Sequence, residues 1–377
     1  MKRSLRGKQI AMEETRAMTS NLEQTVPVVV LAMGDPAGIS PELTARLMVD
    51  PLIQGAARLV VIADRRVLKH GARVAGVALD VEAIAPNAPI PTGVGPPVLV
   101  DLGHLDPSTI RVGEVQEAGG RYALENFKTA LACGMAGAAH AVCFTPFNKS
   151  AMRLAHPSYE DEIVFTQEVL GLTSKAGEFN VLPKVWNARV TSHVPLSGVA
   201  ARINRTVICD ALVLTDAAMR DAGYAAPRIG VAALNPHAGD NGNFGREEID
   251  VIGPAVSDAK ARGIACEGPY PSDTVFVRAM RGQFDAVLTM YHDQGQIAMK
   301  LIGFDEGVTL LGGMPFPVTT PAHGTAYDIA GRGIANPGAS RAAVLLAARM
   351  GRTRMSSARP AASEDRSAAD MRKLIAA

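Results

Sequence analysis

The chain has no excess of charge of either sign, no run long enough to cross a bilayer and no closely paired cysteines, and each absence removes a class of function. Its 377 residues carry a formal net charge of +1 without a basic stripe, which speaks against nucleic acid as the main partner. No stretch is apolar enough to span a membrane, so no membrane partner is expected. Residues 1–24 are polar and charged and lack the apolar core of a secretory signal, and Met12 and Met18 leave a later start open. Cys133, Cys143, Cys209 and Cys266 form no C-x-x-C pair, and two of them sit in apolar runs. Buried, reduced thiols and a cytoplasmic setting are the expectation. The glycine-bearing turn Gly34-Asp35-Pro36-Ala37-Gly38 is neither G-x-G-x-x-G nor a Walker A sequence, and no internal repeat is evident.

What is present is an ordinary globular composition, 47% hydrophobic and 20% charged, in a chain long enough for two domains. Apolar strands are expected over 26–32, 58–63, 97–102, 141–145, 179–182, 185–191, 228–234 and 285–290. Helices are expected from Pro41 (with Ser40 as N-cap), over 117–139, 204–223 and 247–262, and finally over 340–350. Alternation of the two types predicts an α/β fold with mostly parallel sheets.

Three histidines lie in Pro- or Gly-marked turns just after such strands: His193 in Thr-Ser-His-Val-Pro, His237 in Asn-Pro-His-Ala-Gly and His292 in Tyr-His-Asp-Gln-Gly. Strand ends in an α/β sheet face a shared crevice, so three neutral imidazoles there would make an open metal site. Each alone also reads as a satisfied turn residue. Asp273 and Asp293 are candidates to fix the imidazole tautomers, or else a helix cap and a surface turn. Lys300, eight residues past His292, is a candidate proton-transfer group if its surroundings lower its pKa. Lys149 also follows a strand end. The segment 323–337, from His323-Gly324-Thr325 through Asp328 to Asn336, clusters glycines that let backbone approach a ligand, with side chains suited to a purine or ribose.

Taken together, these motifs in this order resemble the 4-hydroxythreonine-4-phosphate dehydrogenase family over nearly the whole chain, from about residue 28 to 350. The stretch 328–337 also resembles the adenosine-binding loop of isocitrate and isopropylmalate dehydrogenases. The resemblance implies a two-domain fold of that type with the site in the cleft between domains. One domain would comprise residues 26–145 with 308–351, and a metal, substrate and dimerisation domain would comprise 146–307. Residues 1–25 and 352–377 would be loosely ordered tails. It further implies a homodimer and a divalent cation (Zn, Mg, Mn, Co or Ni) on His193, His237 and His292, one of them from the partner subunit. NAD or NADP would lie along His323, Gly324, Asp328 and Asn336. The expected chemistry is oxidation of a secondary alcohol by hydride transfer, followed by decarboxylation where a β-keto acid forms.

The sequence departs from the family at the phosphate end. Phosphate-using members carry Gly-His-Thr-Glu where this chain reads Glu160-Asp161-Glu162-Ile163, and a substrate-gripping Asn and Arg where it has Thr309 and Val318. Carboxylates and a valine remove donors that a phosphate dianion needs. A non-phosphorylated hydroxy acid or diol is therefore expected, as in the terephthalate dihydrodiol dehydrogenase branch. The alternatives are the phosphorylated hydroxythreonine, threonate or erythronate substrates and, in another class, a metal-dependent lyase without redox cofactor. A solute-binding protein fits less well for want of a secretory signal and because the cysteines read as buried, and a non-catalytic relative because Lys300 and all three histidines are present.

Overall fold

A computed structural model describes residues 26–357; Met12, Met18, the expected tail at 1–25 and, of the one expected at 352–377, residues 358–377 lie outside them. The strands are β1 (Val28–Ala32), β2 (Arg58–Ala63), β3 (Glu82–Ile84), β4 (Val98–Asp101), β5 (Ala141–Phe144) and β6 (Gly177–Val181). They continue with β7 (Trp186–Arg189), β8 (Ile229–Ala232), β9 (Cys266–Tyr270), β10 (Ala286–Thr289), β11 (Val308–Gly312) and β12 (Val318–Pro321). Among the described residues they form one 12-stranded sheet in the order β3-β4-β2-β1-β5-β12-β11-β6-β7-β10-β8-β9.

The run of Val and Leu in β1 is continuous because both faces of the sheet are covered. Val29 and Leu31 enter one core cluster, Val28 and Val30 the other, all fully buried. Burying each such side chain contributes about 1.5–3 kcal/mol. The four cysteines are buried and free, as expected. No helix among the described residues is long and apolar enough to cross a membrane.

Two parallel blocks flank an antiparallel seam. Strand β12 runs parallel to β5, while β12–β11, β11–β6 and β6–β7 are all antiparallel. Beyond the seam, β7, β10, β8 and β9 are parallel again. Three reversals turn the second block head to tail with the first. The idea of one crevice at all strand ends therefore holds only within a block.

Several expected elements shift. Ser40 is not the N-cap but the first residue of the helix Ser40–Met48; its hydroxyl donates to the Pro146 carbonyl at 2.8 Å, tying this helix to the end of β5. The helix expected over 247–262 opens as a π turn, Glu248–Ile252, before Gly253–Ala261. The last helix, Gly338–Ser357, runs past the expected end at Met350, so residues 352–357 are helical.

Candidate active site

Strands β7, β10 and β8 are adjacent and parallel, so their C-terminal ends share one edge of the sheet. His193, His292 and His237 follow those three ends. The His193 and His292 rings stand 5.8 Å apart between centroids with planes inclined by 44°. Asp293 Oδ1 lies 2.7 Å from His292 Nδ1, a contact that favours the tautomer with its proton on Nδ1 and its lone pair on Nε2. Two imidazoles, one fixed by a carboxylate, are a donor set that fits a divalent metal of the zinc type. His237 does not join them. It packs against Phe244 at 6.3 Å, and no group of three metal-ligating side chains exists among the described residues of one chain. Asp273 stands exposed in the first turn of the helix Ser272–Met280, likewise outside any such group.

The segment carrying His237 is unusual backbone. His237, Ala238, Asp240 and Asn241 all have positive φ, between 44° and 56°. A left-handed run costs roughly 1–2 kcal/mol per non-glycine residue, so something must hold it. The chain enters the run from residues fixed by Glu248, 4% exposed, whose carboxylate accepts the N–H groups of Leu234 and Asn235 at 2.8 and 2.7 Å and the Asn235 amide at 3.0 Å.

His292 begins the helix His292–Gly303, on which Gln296 and Lys300 follow at four-residue steps along one face. Gln296 donates to Asn180 Oδ1 at 2.8 Å. Lys300 is exposed and borders, with Asn180 and Gln296, a small recess next to this face.

Beside His193 lies a cavity of about 80 Å³ lined by Lys149, Asp161, Glu162, Glu178, Thr309 and Leu311. Lys149 Nζ is 3.1 Å from Glu162. Asp161 caps the helix Glu162–Leu170, its carboxylate accepting from Ile163 and Val164. Val318 corrects the sequence reading: it is fully buried in the core and is not part of this lining, to which the same two strands contribute Thr309, Leu311 and Thr320.

Sequence reasoning missed Glu178, Asn180, Arg189 and Gln296. Arg189, at the end of β7, is enclosed (side chain 2% exposed); Nη2 donates to Asn180 Oδ1 at 2.7 Å and stands 3.4 Å from Glu178. Burial pulls its guanidinium below the usual value and Glu178 pulls it back. An arginine at the end of a strand whose other residues are buried was the feature to notice, though only the structure shows that burial.

The 323–337 segment is fixed by buried acids. Glu42, 2% exposed, accepts the N–H groups of Gly333 and Ala335 at 3.0 and 2.8 Å. Tyr327 donates to Asp35, whose carboxyl is raised above its ordinary value by burial, against the pull of the Tyr327 and Ala37 hydrogen bonds. Asp35 belongs to the 34–38 turn, which is structural: a Cβ on Gly34 would lie 2.2 Å from the Pro146 carbonyl oxygen. His323 Nδ1 approaches the Gly324 carbonyl at 3.1 Å, Gly324 borders open space, Asp328 is exposed, and Asn336 Oδ1 accepts from Gly338. A pinned backbone with an open glycine fits a nucleotide laid along it.

The relatives of this chain are dehydrogenases by name, which makes it an oxidoreductase. The chain belongs to the family described as pyridoxal phosphate biosynthetic protein PdxA, whose model matches residues 55–347. It is 61% identical over 86% of its length, and 93% of the relative's, to "Putative 4-hydroxythreonine-4-phosphate dehydrogenase 2" of Rhizobium meliloti (strain 1021). It is 37% identical to D-threonate 4-phosphate dehydrogenase of Pectobacterium atrosepticum, covering 85% of this chain and 98% of that one. The crystal structure of 4-hydroxythreonine-4-phosphate dehydrogenase from Klebsiella pneumoniae superposes with a TM-score of 0.75 at 33% identity, covering 87% of this chain and all of that one. Terephthalate 1,2-cis-dihydrodiol dehydrogenase from Burkholderia xenovorans LB400 gives 0.59 at 26% identity, with 86% and 98% covered.

Proposed function

We propose that this oxidoreductase is a divalent-metal- and NAD(P)-dependent dehydrogenase of a secondary alcohol in a hydroxy acid or diol that carries no phosphate, with decarboxylation where a β-keto acid results. The observation that carries the substrate reading is the charge inventory of the cavity beside His193. Among the described residues lining it, the one lysine, Lys149, is already paired with Glu162, and Asp161 and Glu178 add further negative charge. A phosphate dianion needs donors and positive charge, and here it would meet carboxylates.

His193 and His292 would hold the cation, with His237 contributed by the second copy of a homodimer and Asp273 brought in from the same copy. Bound there, the cation would lower the pKa of the substrate alcohol and stabilise an enolate if carbon dioxide leaves. Asp293 keeps the His292 ring in the tautomer that offers Nε2. Lys300 Nζ, on the same helix face, is the group to take or return the proton. The 323–337 loop supports the dinucleotide, and its buried anchors Glu42 and Asp35 keep it preorganised.

The test is the appearance of reduced nicotinamide with metal-replete protein, using NAD and NADP in parallel. One substrate set holds 4-hydroxythreonine-4-phosphate and phosphorylated threonate and erythronate; the other holds non-phosphorylated hydroxy acids and cis-diol carboxylates. Turnover confined to the second set is expected. Turnover confined to the first would refute the substrate reading while leaving the dehydrogenase intact.

A further inference from the structure

We infer that Glu178, paired with Arg189 across the β6–β7 ladder, is the specificity residue that receives a hydroxyl group at the far end of the substrate. The inference rests on the substrate reading above and deepens it.

The register places the pair. On the seam, Glu178 lies opposite Leu311 and Asn180 opposite Thr309, so Glu178, Asn180 and Thr309 share one face. Asn180 also lies opposite Asn187 of β7, two residues before Arg189 and on the same side of the strand. Glu178 therefore reaches the cavity that His193 and Thr309 line, with its side chain 24% exposed, while Arg189, beside it across the ladder, is enclosed at 2%.

A buried guanidinium is unfavourable without an opposite charge, and Glu178 is the carboxylate that stands beside Arg189. Only Nη2 of Arg189 is engaged; Nε and Nη1 are enclosed and have no hydrogen-bond partner among the described residues. The cavity wall thus presents a carboxylate acceptor, with Arg189 enclosed beside it and not itself lining the cavity. A neutral donor such as a hydroxyl matches it. A phosphate or carboxylate is an acceptor only and is repelled by Glu178 and Glu162.

The experiment compares wild type, Glu178→Gln, Arg189→Met and Arg189→Lys on four-carbon hydroxy acids, each with and without a terminal phosphate, D-threonate and its 4-phosphate among them. Thermal melts establish that each variant is folded, and Glu178→Gln keeps the shape if Arg189→Met does not fold. For the non-phosphorylated acids, Glu178→Gln should raise KM by about tenfold or more, the loss of one hydrogen bond to a charged group. In the same comparison kcat should stay within about threefold, because the lost contact is remote from the chemistry. Arg189→Met should act in the same direction and Arg189→Lys should recover part of the loss. If Glu178→Gln instead lowers KM for a phosphorylated acid, the far end is a phosphate, and both the hydroxyl assignment and the proposed substrate class fall. An unchanged KM on every acid the enzyme turns over would overturn the inference alone, and turnover of none by wild type would overturn both.

Discussion

Asp64 illustrates how a single carboxylate is put to structural use. It is 1% exposed at the start of the helix Arg65–Ala75 and accepts the Arg66 and Leu105 N–H groups, each at 2.8 Å, and the Arg66 guanidinium at 2.8 and 3.0 Å. Burial by itself would raise its pKa; the Arg66 fork and the two N–H groups outweigh it and hold the carboxyl below its ordinary value. A depressed folded pKa means that the stabilisation is present above the ordinary aspartate value and is lost as pH falls through the folded one. Melting temperature measured from pH 7 to 2.5 should therefore drop below about pH 4 in wild type. Asp64→Asn should melt lower at pH 7 and show a shallower acid limb; identical limbs would refute the assignment. Residues of this kind were not legible in the sequence, because nothing local tells a buried, bonded acid from a solvated one. The same holds for Glu178 and Arg189. The histidines were legible because Pro and Gly mark their turns, yet the turn at His237 gave no hint that its backbone is left-handed.

At the scale of elements, the helix His292–Gly303 lies close on the sheet because residue 295 has no side chain. A Cβ there would come within 2.0 Å of Asn187 Oδ1. Asn187 cannot retreat, being fully buried and donating from Nδ2 to the carbonyls of Ala188 and Val287. Gly295→Ala should therefore cost about 1–3 kcal/mol by overpacking, read from the urea midpoint, and should lower activity because His292, Gln296 and Lys300 move together. Gly55→Ala, with open space at that position in the helix Pro51–Ala56, should instead stabilise by about 0.5–1 kcal/mol. Equal effects of the two would show that steric contact is not the cause. Apolar runs made many core strands readable in the sequence, but β3 and β9 are partly exposed and carry too little pattern, and the buried β11 and β12, rich in Gly, Pro and Thr around 307–321, were not read as strands. Nor does a strand's sequence record its direction, so the reversals at β11 and β6 emerge only from pairing.

For the molecule as a whole, a single chain gathers two of the three histidines, and the proposed dimer supplies the third. Co-expression of His193→Ala with His237→Ala tests this. Each variant alone should be inactive, whereas mixed dimers would each keep one intact site and restore roughly a quarter of wild-type activity under random pairing. No recovery in dimers shown to be mixed would mean that all three ligands act within one chain.

The place of β12 between β5 and β11 also bears on how the protein is made. Strand β5 ends at Phe144, yet its neighbour begins only at Val318. On the ribosome, the first parallel block must emerge with one flank unpaired and wait for nearly the whole second block to be translated before β12 can dock. During that interval the nascent chain carries an apolar, template-like edge, the kind of surface that chaperones shield and that invites misassociation. Synthesis of this fold is complete as structure only when its last strand is threaded into the middle of the sheet.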